Sequence, residues 1–331
     1  MTTLLAGDIG GTKTLLALYA LGEQGNLSLL GSERYSSADW DDLAPMVRAF
    51  LAAGSHQPPA AACLAVAGPV EGGQAQLTNL SWQLDEALLA SATGIGQVAL
   101  VNDFAVLIYG LPHLAEHQQA PIRPGRPRPE APLLVLGAGT GLGVAYGVPT
   151  PTGLVAMASE AAHGEFAPRS QAEWELKQWL AAARGLERVS IERVVSGTGL
   201  GEVARWLLAS RHPDAGHPLS ALVDGDALPA AVAAAAARGD ALAGEALALW
   251  ISCYGSVCGD LALAGLSRGG VWLAGGTAAK LLAALQSPGF TEAFLRKGRL
   301  AAVLADMPIT AVLDAAIGQF SAACRARMLV A

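Results

Sequence analysis

Two short glycine-rich stretches carry residues suited to holding phosphate. "GDIGGTKT" (7–14) comes within one residue of the nucleotide loop G-x-x-x-x-G-K-[ST], but position 12 is Thr where that loop needs Gly. A Walker loop also opens into a helix. Here the following "TLLALYAL" (14–21) is strand-like and reaches a turn at "GEQGN". The stretch therefore reads as a strand–loop–strand cradle. Gly7, Gly10 and Gly11 are expected to take positive φ and let the backbone approach an anion. Backbone N–H groups and the Thr12 hydroxyl would then donate to phosphate oxygens. Asp8 cannot sit against bare phosphate. A carboxylate there suits a Mg²⁺ ion, held directly or through water. One such loop alone is also compatible with an ordinary hairpin. A second, "GAGTGLG" (137–143), follows another apolar strand, and a third cluster, Gly275-Gly276-Thr277, joins the strand "VWLA" to a helix.

The elements that must position these loops follow from periodicity. Residues 2–6, 14–21 and 26–35 read as strand, strand, strand, and 132–148 repeats the strand–loop–strand pattern of 2–20. Helical spacing marks 39–54, 85–94, 170–185 and 196–211, with at least two more helices in 228–266. Ser170 and Glu173 have capping-box spacing. "QVALVNDFAVLIYGLP" (97–112) reads as a strand ending near Val101 and a helix beginning at Asn102 or Asp103. A carboxylate just past a buried strand is where α/β sheets present ligand-facing groups. Asp103 there could be a proton acceptor, a helix cap, or both. "PIRPGRPRPEAP" (121–132) reads as a surface loop between two halves.

Composition limits the alternatives. At 331 residues, 52% hydrophobic and 15% charged, the chain can bury a large core and should form two domains or one domain split by an insertion. A net charge of −7 argues against nucleic acid or an anionic membrane as the main partner. Cys63, Cys253, Cys258 and Cys324 form no C-x-x-C pair and read as buried reduced thiols. No signal peptide is visible, so a cytoplasmic location is expected. No uninterrupted apolar run is expected to span a membrane, because Arg238, Asp240, Glu245 and Asp260 break the 228–266 region.

Taken together, "GDIGGTKT", "GAGTGLG" and "LAGGTAAK" (273–280) resemble the two phosphate motifs and the adenosine motif of the actin/hexokinase/Hsp70 superfamily. More closely, the chain resembles bacterial glucokinases of the enterobacterial kind from residue 4 to about 320. "TNLSW" (78–82), "VNDF" (101–104), "HGEFAP" (163–168) and "ERVVSGTGL" (192–200) have counterparts in the same order. The resemblance implies an α/β, two-domain actin-like (ribonuclease H-like) fold with a central cleft. The small domain would be 1–112 plus about 313–331, and the large one about 113–312. It implies ATP and Mg²⁺ as cofactors, glucose or a similar hexose as substrate, and a homodimer.

By the same resemblance Asp103 is the catalytic base. Asn102, Asp103, Glu160, His163 and Glu192 bind the sugar, with Asn79 beside them and Trp82 supporting the cleft wall. Gly7, Asp8, Ile9, Gly10, Gly11 and Thr12, then Gly137, Gly139, Thr140 and Gly141, then Gly275 and Gly276, line the nucleotide. The segment "ASEAAHGEF" (158–166) departs from the family, with Ser159, Ala161 and Ala162 near positions that usually hold glycine. If any of these needs positive φ, the loop must take another path. Lys13 stands where the closest relatives often carry Asn. Lys there is common in the related ROK kinases and repressors. Those kinases usually carry a Cys-rich zinc cluster after the His, where this chain reads "GEFAP". The repressors would need a helix-turn-helix before the first loop, which here begins at Gly7.

Overall fold

The computed structural model describes residues 2–54, 58–77 and 80–330. Asn79 lies outside the described residues. The chain divides into two compact units. One comprises residues 1–115, 150–158 and 314–331, the other 116–149 and 159–313.

In the first unit, β1 (Thr2–Ile9) and β2 (Lys13–Leu21) form an antiparallel hairpin, and β3 (Leu27–Ser36) continues it outward. On the other side of β1 lie two parallel strands, β4 (Ala61–Val66), reached through α1 (Leu43–Ala53), and beyond it the outermost one. Between them come the short β5 (Val70–Glu71), β6 (Gln74–Gln76) and β7 (Gln83–Asp85), then α2 (Glu86–Thr93) and β8 (Gln97–Asn102). The main sheet therefore runs β3-β2-β1-β4-β8. Both faces are covered, which is why β4 reads as an unbroken apolar run, every residue buried. Leu43, Met46 and Phe50 of α1 pack in one core with Leu5, Leu16 and Leu64. The C-terminal helix (Ile317–Leu329) packs on β1 and β4. Register places Asp8 of β1 beside Ala65 of β4, and Ala65 beside Val101 of β8. The carboxyl ends of three adjacent parallel strands thus lie at one edge. After β8, turns at 103–106 precede the short helix α3 (Leu107–Gly110), so the helix starts later than the sequence suggests.

The second unit repeats this order. Within this unit the sheet runs β11-β10-β13-β14-β9, from β9 (Gln119–Arg123), β10 (Leu133–Ala138), β11 (Leu142–Thr150), β13 (Gly270–Ala274) and β14 (Ile309–Val312), while β12 (Gly153–Ser159) falls almost wholly among the residues of the first unit. As in the first unit, an antiparallel hairpin (β10–β11) is flanked by parallel strands (β13, β14). The Pro- and Arg-rich stretch is not wholly a loop. Its first residues form the edge strand β9, where Pro121 is tolerated because an edge needs fewer ladder bonds. Arg123 holds this edge by donating to the Met307 carbonyl at 2.7 Å and to that of Ala305.

The helices of this unit are α4 (Gln171–Arg184), α5 (Ile191–Val194), α6 (Gly197–Arg211), α7 (Leu228–Ala237), α8 (Ala241–Ala264) and α9 (Gly276–Lys280), with a further helix at Pro288–Leu295. Ser170 caps α4 by accepting from the Glu173 N–H at 3.2 Å, and Gly185 ends it in the left-handed region. Contrary to the sequence expectation, α8 is long and apolar enough to cross a membrane by length and composition. It is instead the core helix of this unit. Trp250, Cys253, Tyr254 and Cys258 are fully buried. Gly255 and Gly259, one turn apart, let it approach the backbone of Phe290 and Phe294, where any Cβ would collide with a carbonyl. All four cysteines are buried and unbridged.

Candidate active site

In the first unit, the tight turn between β1 and β2 closes with Gly10 N–H donating to the Lys13 carbonyl at 3.0 Å. A buried hydroxyl pair fixes it from below. Ser37 donates its N–H to the Thr12 carbonyl at 3.0 Å and its Oγ–H to the Gly10 carbonyl at 2.8 Å. The Thr14 hydroxyl lies 3.0 Å from that of Ser37. Thr14 and Ser37 are wholly inaccessible to solvent. The expected positive φ at Gly7, Gly10 and Gly11 is not found; none of them lies in that region. What the turn uses is the missing side chain. A Cβ would stand 2.7 Å from Leu64 Cδ2 at Gly7 and 2.9 Å from the Lys13 carbonyl at Gly10. Ile9 is buried, while Thr12 and Lys13 are exposed.

Asp8 lies near the end of β1 and Asp103 just past the end of β8, two parallel strands of this sheet with β4 between them. Asp103 N–H donates to the Val66 carbonyl at 2.9 Å, which fixes the backbone beyond β8. Neither Asn102 nor Asp103 caps α3, whose N-terminus at Val106 has no side-chain cap; Asn102 instead braces the turn at 103–106. Its Oδ1 accepts from the N–H groups of Phe104 (3.1 Å) and Ala105 (3.0 Å). Its Nδ2 donates to the Gly68 carbonyl (3.1 Å) and to Asp103 Oδ1 (3.0 Å). The Asp103 carboxylate is thus oriented yet left accessible. Surrounding protein raises its pKa above the ordinary aspartate value, and repulsion from Asp8 adds to that. Asp8 is raised by burial too, opposed by the Arg34 guanidinium. Both tips reach solvent, so the cause is the protein packed around them, not complete enclosure. Trp82 is a core residue, its indole N–H donating to the Trp40 carbonyl at 3.2 Å.

The second unit holds the second hairpin. Gly139 N–H donates to the Gly141 carbonyl at 2.8 Å and closes the turn. Three residues from two other helices converge on it. Gly197 N–H, at the start of α6, donates to the Gly139 carbonyl at 2.7 Å. Thr198 Oγ1 donates to the Thr140 carbonyl, and Thr277 Oγ1 to that of Ala138, each at 2.8 Å. Gly137, Gly139 and Gly141 also avoid positive φ, whereas Gly275 adopts φ +83° as β13 turns into α9 and Gly276 opens that helix. These groups border a cavity of about 660 Å³, whose opposite wall is Pro229, Ala230 and Ala233 of α7. Thr198, Arg205, Asp226 and Lys280 also line it, and sequence reading singled out none of them. Ser196, which caps α6 through the Gly199 N–H at 2.9 Å, was the available signal: a cap before a glycine-rich first turn.

Glu192 docks on this hairpin, its Oε2 accepting from the Leu142 N–H at 2.9 Å. Glu160 and His163 bracket a single 3-10 turn, with His163 Nε2 3.5 Å from Glu160 Oε2 and both side chains exposed. The turn contains Ala161 and Ala162, with Ser159 Oγ accepting from the Ala161 N–H at 3.2 Å. None of these three takes positive φ, so the segment needs no glycine to form. Ile191 N–H donates to the Gly164 carbonyl at 2.8 Å and Arg188 to that of His163 at 2.7 Å. The turn is thereby tied to the segment that carries Glu192. The structure thus gathers Asp8, Asn102 and Asp103 in one unit, and Glu160, His163, Glu192 and the cavity in the other.

Residues 5–329 match the Glucokinase family. A glucokinase from Nostoc punctiforme is 38% identical over 344 residues, covering 99% of this chain and all of the relative. Among solved structures, a glucokinase from an Antarctic psychrotroph is 30% identical with a TM-score of 0.85, covering 98% of this chain and 99% of that one. A ROK family glucokinase from Streptomyces griseus, solved with glucose and AMPPNP, shares the fold at 19% identity and a TM-score of 0.63, covering 98% and 99%. The chain belongs to the glucokinase family, and its α/β fold is the two-domain, actin-like one.

Proposed function

We propose that this glucokinase-family chain transfers the γ-phosphoryl group of ATP to the 6-hydroxyl of glucose, with Asp103 as general base. The carrying observation is the Asp103 carboxylate itself. It ends a buried parallel strand, is oriented by Asn102, stays accessible, and has a raised pKa. A more basic carboxylate is a better acceptor for a hydroxyl proton as the oxygen attacks phosphorus. At neutral pH it must still be ionised to act, so the reading requires activity to fall as acid protonates it.

The other residues take roles that suit their chemistry. Glu160, His163 and Glu192 offer the mixed donors and acceptors that vicinal hydroxyls need, and a site of that kind rejects analogues lacking a hydroxyl. Asn79, with Asn102, would complete the sugar contacts from the first unit. The hairpins at 10–12 and 139–141 would hold phosphate oxygens with backbone N–H groups. The 660 Å³ cavity has the size and the small-residue wall that a nucleoside needs. Asp8 and Asp103 together concentrate negative charge, and each is pushed toward its neutral form. A cation would relieve that, so the donor set fits Mg²⁺ held by Asp8 through water. When bound, the ion would supply charge neutralisation at the phosphates.

The test is glucose 6-phosphate formation by the purified protein with ATP and Mg²⁺, beside an Asp103→Ala control. Robust turnover that is lost in the control supports the assignment. Equal turnover in the two proteins removes Asp103 from the chemistry. No turnover in either, with glucose still bound by calorimetry, makes the chain a sugar-binding protein instead.

A further inference from the structure

We infer that Asp226 is a specificity-determining residue that accepts hydrogen bonds from the ribose hydroxyls of the nucleotide. The inference rests on the reading of the 660 Å³ cavity as the nucleoside site.

Three charged side chains line that cavity: Arg205, Asp226 and Lys280. Arg205 is already committed. Its Nε donates to the Val223 carbonyl at 2.6 Å, its Nη1 to Glu202 at 3.1 Å and its Nη2 to the Gly225 carbonyl at 3.2 Å. This grip fixes the loop 223–225 against α6, and Asp226 follows directly. The Asp226 side chain is exposed and has no hydrogen bond or ion pair with any described residue. It is therefore a free acceptor held on a clamped loop at the cavity wall.

Its place on the cavity wall selects the ligand group. Thr198 marks the phosphate end, since it bonds the Thr140 carbonyl. Arg205 lies seven residues further along α6, about 10 Å at 1.5 Å per residue. A carboxylate beside phosphates would repel them. Asp226 follows the loop held by Arg205 and not the turn held by Thr198, so on this reading its carboxylate meets the nucleoside instead. The apolar wall of Pro229, Ala230 and Ala233 suits a flat base. The donors on adenosine are the adenine amino group and the vicinal 2′- and 3′-hydroxyls, and only the hydroxyl pair matches the two oxygens of one carboxylate. An acidic residue serves the same purpose in dinucleotide-binding folds.

The experiment compares ATP, 2′-deoxy-ATP and ITP as donors for the wild type, Asp226→Ala and Ala233→Phe. The wild type should show a KM about tenfold higher for 2′-deoxy-ATP than for ATP, the size expected for a hydrogen bond to a charged group. Asp226→Ala should bring that ratio to within about twofold and leave the ATP-to-ITP ratio unchanged. A deoxy ratio unaltered by Asp226→Ala overturns the inference. So does a change confined to the ATP-to-ITP ratio, which would move the contact to the base. Ala233→Phe fills the cavity and should raise KM for all three donors. If it raises none, the cavity is not the nucleoside site and the underlying reading fails, whatever Asp226 does.

Discussion

Gly141→Ala should weaken glucose binding by acting on Glu192. A Cβ at position 141 would overlap Glu192 Oε2 and lie 3.1 Å from its Cδ. The obstacle is the end of a flexible side chain, so the carboxylate can retreat and the fold should survive. Retreat has a cost, because Oε2 accepts from the Leu142 N–H at 2.9 Å. A shift of about 1 Å takes that bond past the range in which it counts as one. A hydrogen bond to a charged group contributes about 1.5–3 kcal/mol, or roughly 10- to 150-fold in an equilibrium constant. If Glu192 must be docked to meet the sugar, KM for glucose should rise by about tenfold or more, within that range. KM for ATP should move less, and the melting temperature should change by only a few degrees. Steady-state kinetics with each substrate varied separately, plus a thermal melt, read all three quantities. A folded Gly141→Ala protein whose glucose KM and kcat stay within about twofold of wild type would refute the reasoning, since it would show that a docked Glu192 is not needed.

Asp8→Asn removes the repulsion that helps to raise Asp103, so the acid limb of kcat/KM for the residual activity should move to lower pH; a limb that stays or moves upward contradicts the coupling. Asp103→Asn should raise the melting temperature at neutral pH while abolishing turnover. The sign follows from the raised folded pKa. The native state binds that proton more tightly than the unfolded chain, so this group's contribution falls as pH rises from the ordinary aspartate value through the raised one, and the cost is fully present above it. An unchanged or lower melting temperature at pH 7 counts against it. Ser37→Ala leaves the buried Thr14 hydroxyl and Gly10 carbonyl without a partner, at a cost of about 1–3 kcal/mol for each unsatisfied group. KM for ATP should rise and that for glucose should hold; equal rises in both would make Ser37 merely structural.

Local signals carried much of the fold. Strand, tight turn and strand at 2–21 were readable because the apolar run resumes at once after Lys13, with no helical spacing. Caps were readable too, since Ser170 with Glu173 and Gly185 are decided within one turn of the chain. The duplicated sheet order of the two units is the long-range form of the repeated hairpin. What failed was inference from residue type to conformation. Glycines in the two hairpins suggested positive φ, but they serve close approach, which depends on the Leu64 side chain and the Glu192 carboxylate. Neither neighbour is visible from the loop's own sequence. Pro121 in a Pro-rich stretch suggested a loop, yet an edge strand accepts it.

The site residues divide along the same line. Asp8 and Asp103 stand at strand ends, so one local rule locates both. Ser37 and Gly10 meet across 27 residues, Glu192 and Leu142 across 50, and Thr277 and Ala138 across 139. In each case a side chain satisfies a backbone group of a hairpin that has too few partners of its own. A short glycine-rich turn has no side-chain mass with which to fix itself, so its geometry must be imposed from elsewhere. The residues that impose it are therefore distant in sequence and small or charged: Ser37 for the first hairpin, and Glu192, Gly197, Thr198 and Thr277 for the second. Glu192 also stands among the residues expected to bind sugar. A carboxylate that both braces a phosphate hairpin and meets a hydroxyl would make sugar binding and phosphate-loop geometry depend on each other, and Gly141→Ala, which displaces the Glu192 carboxylate without removing it, tests that dependence.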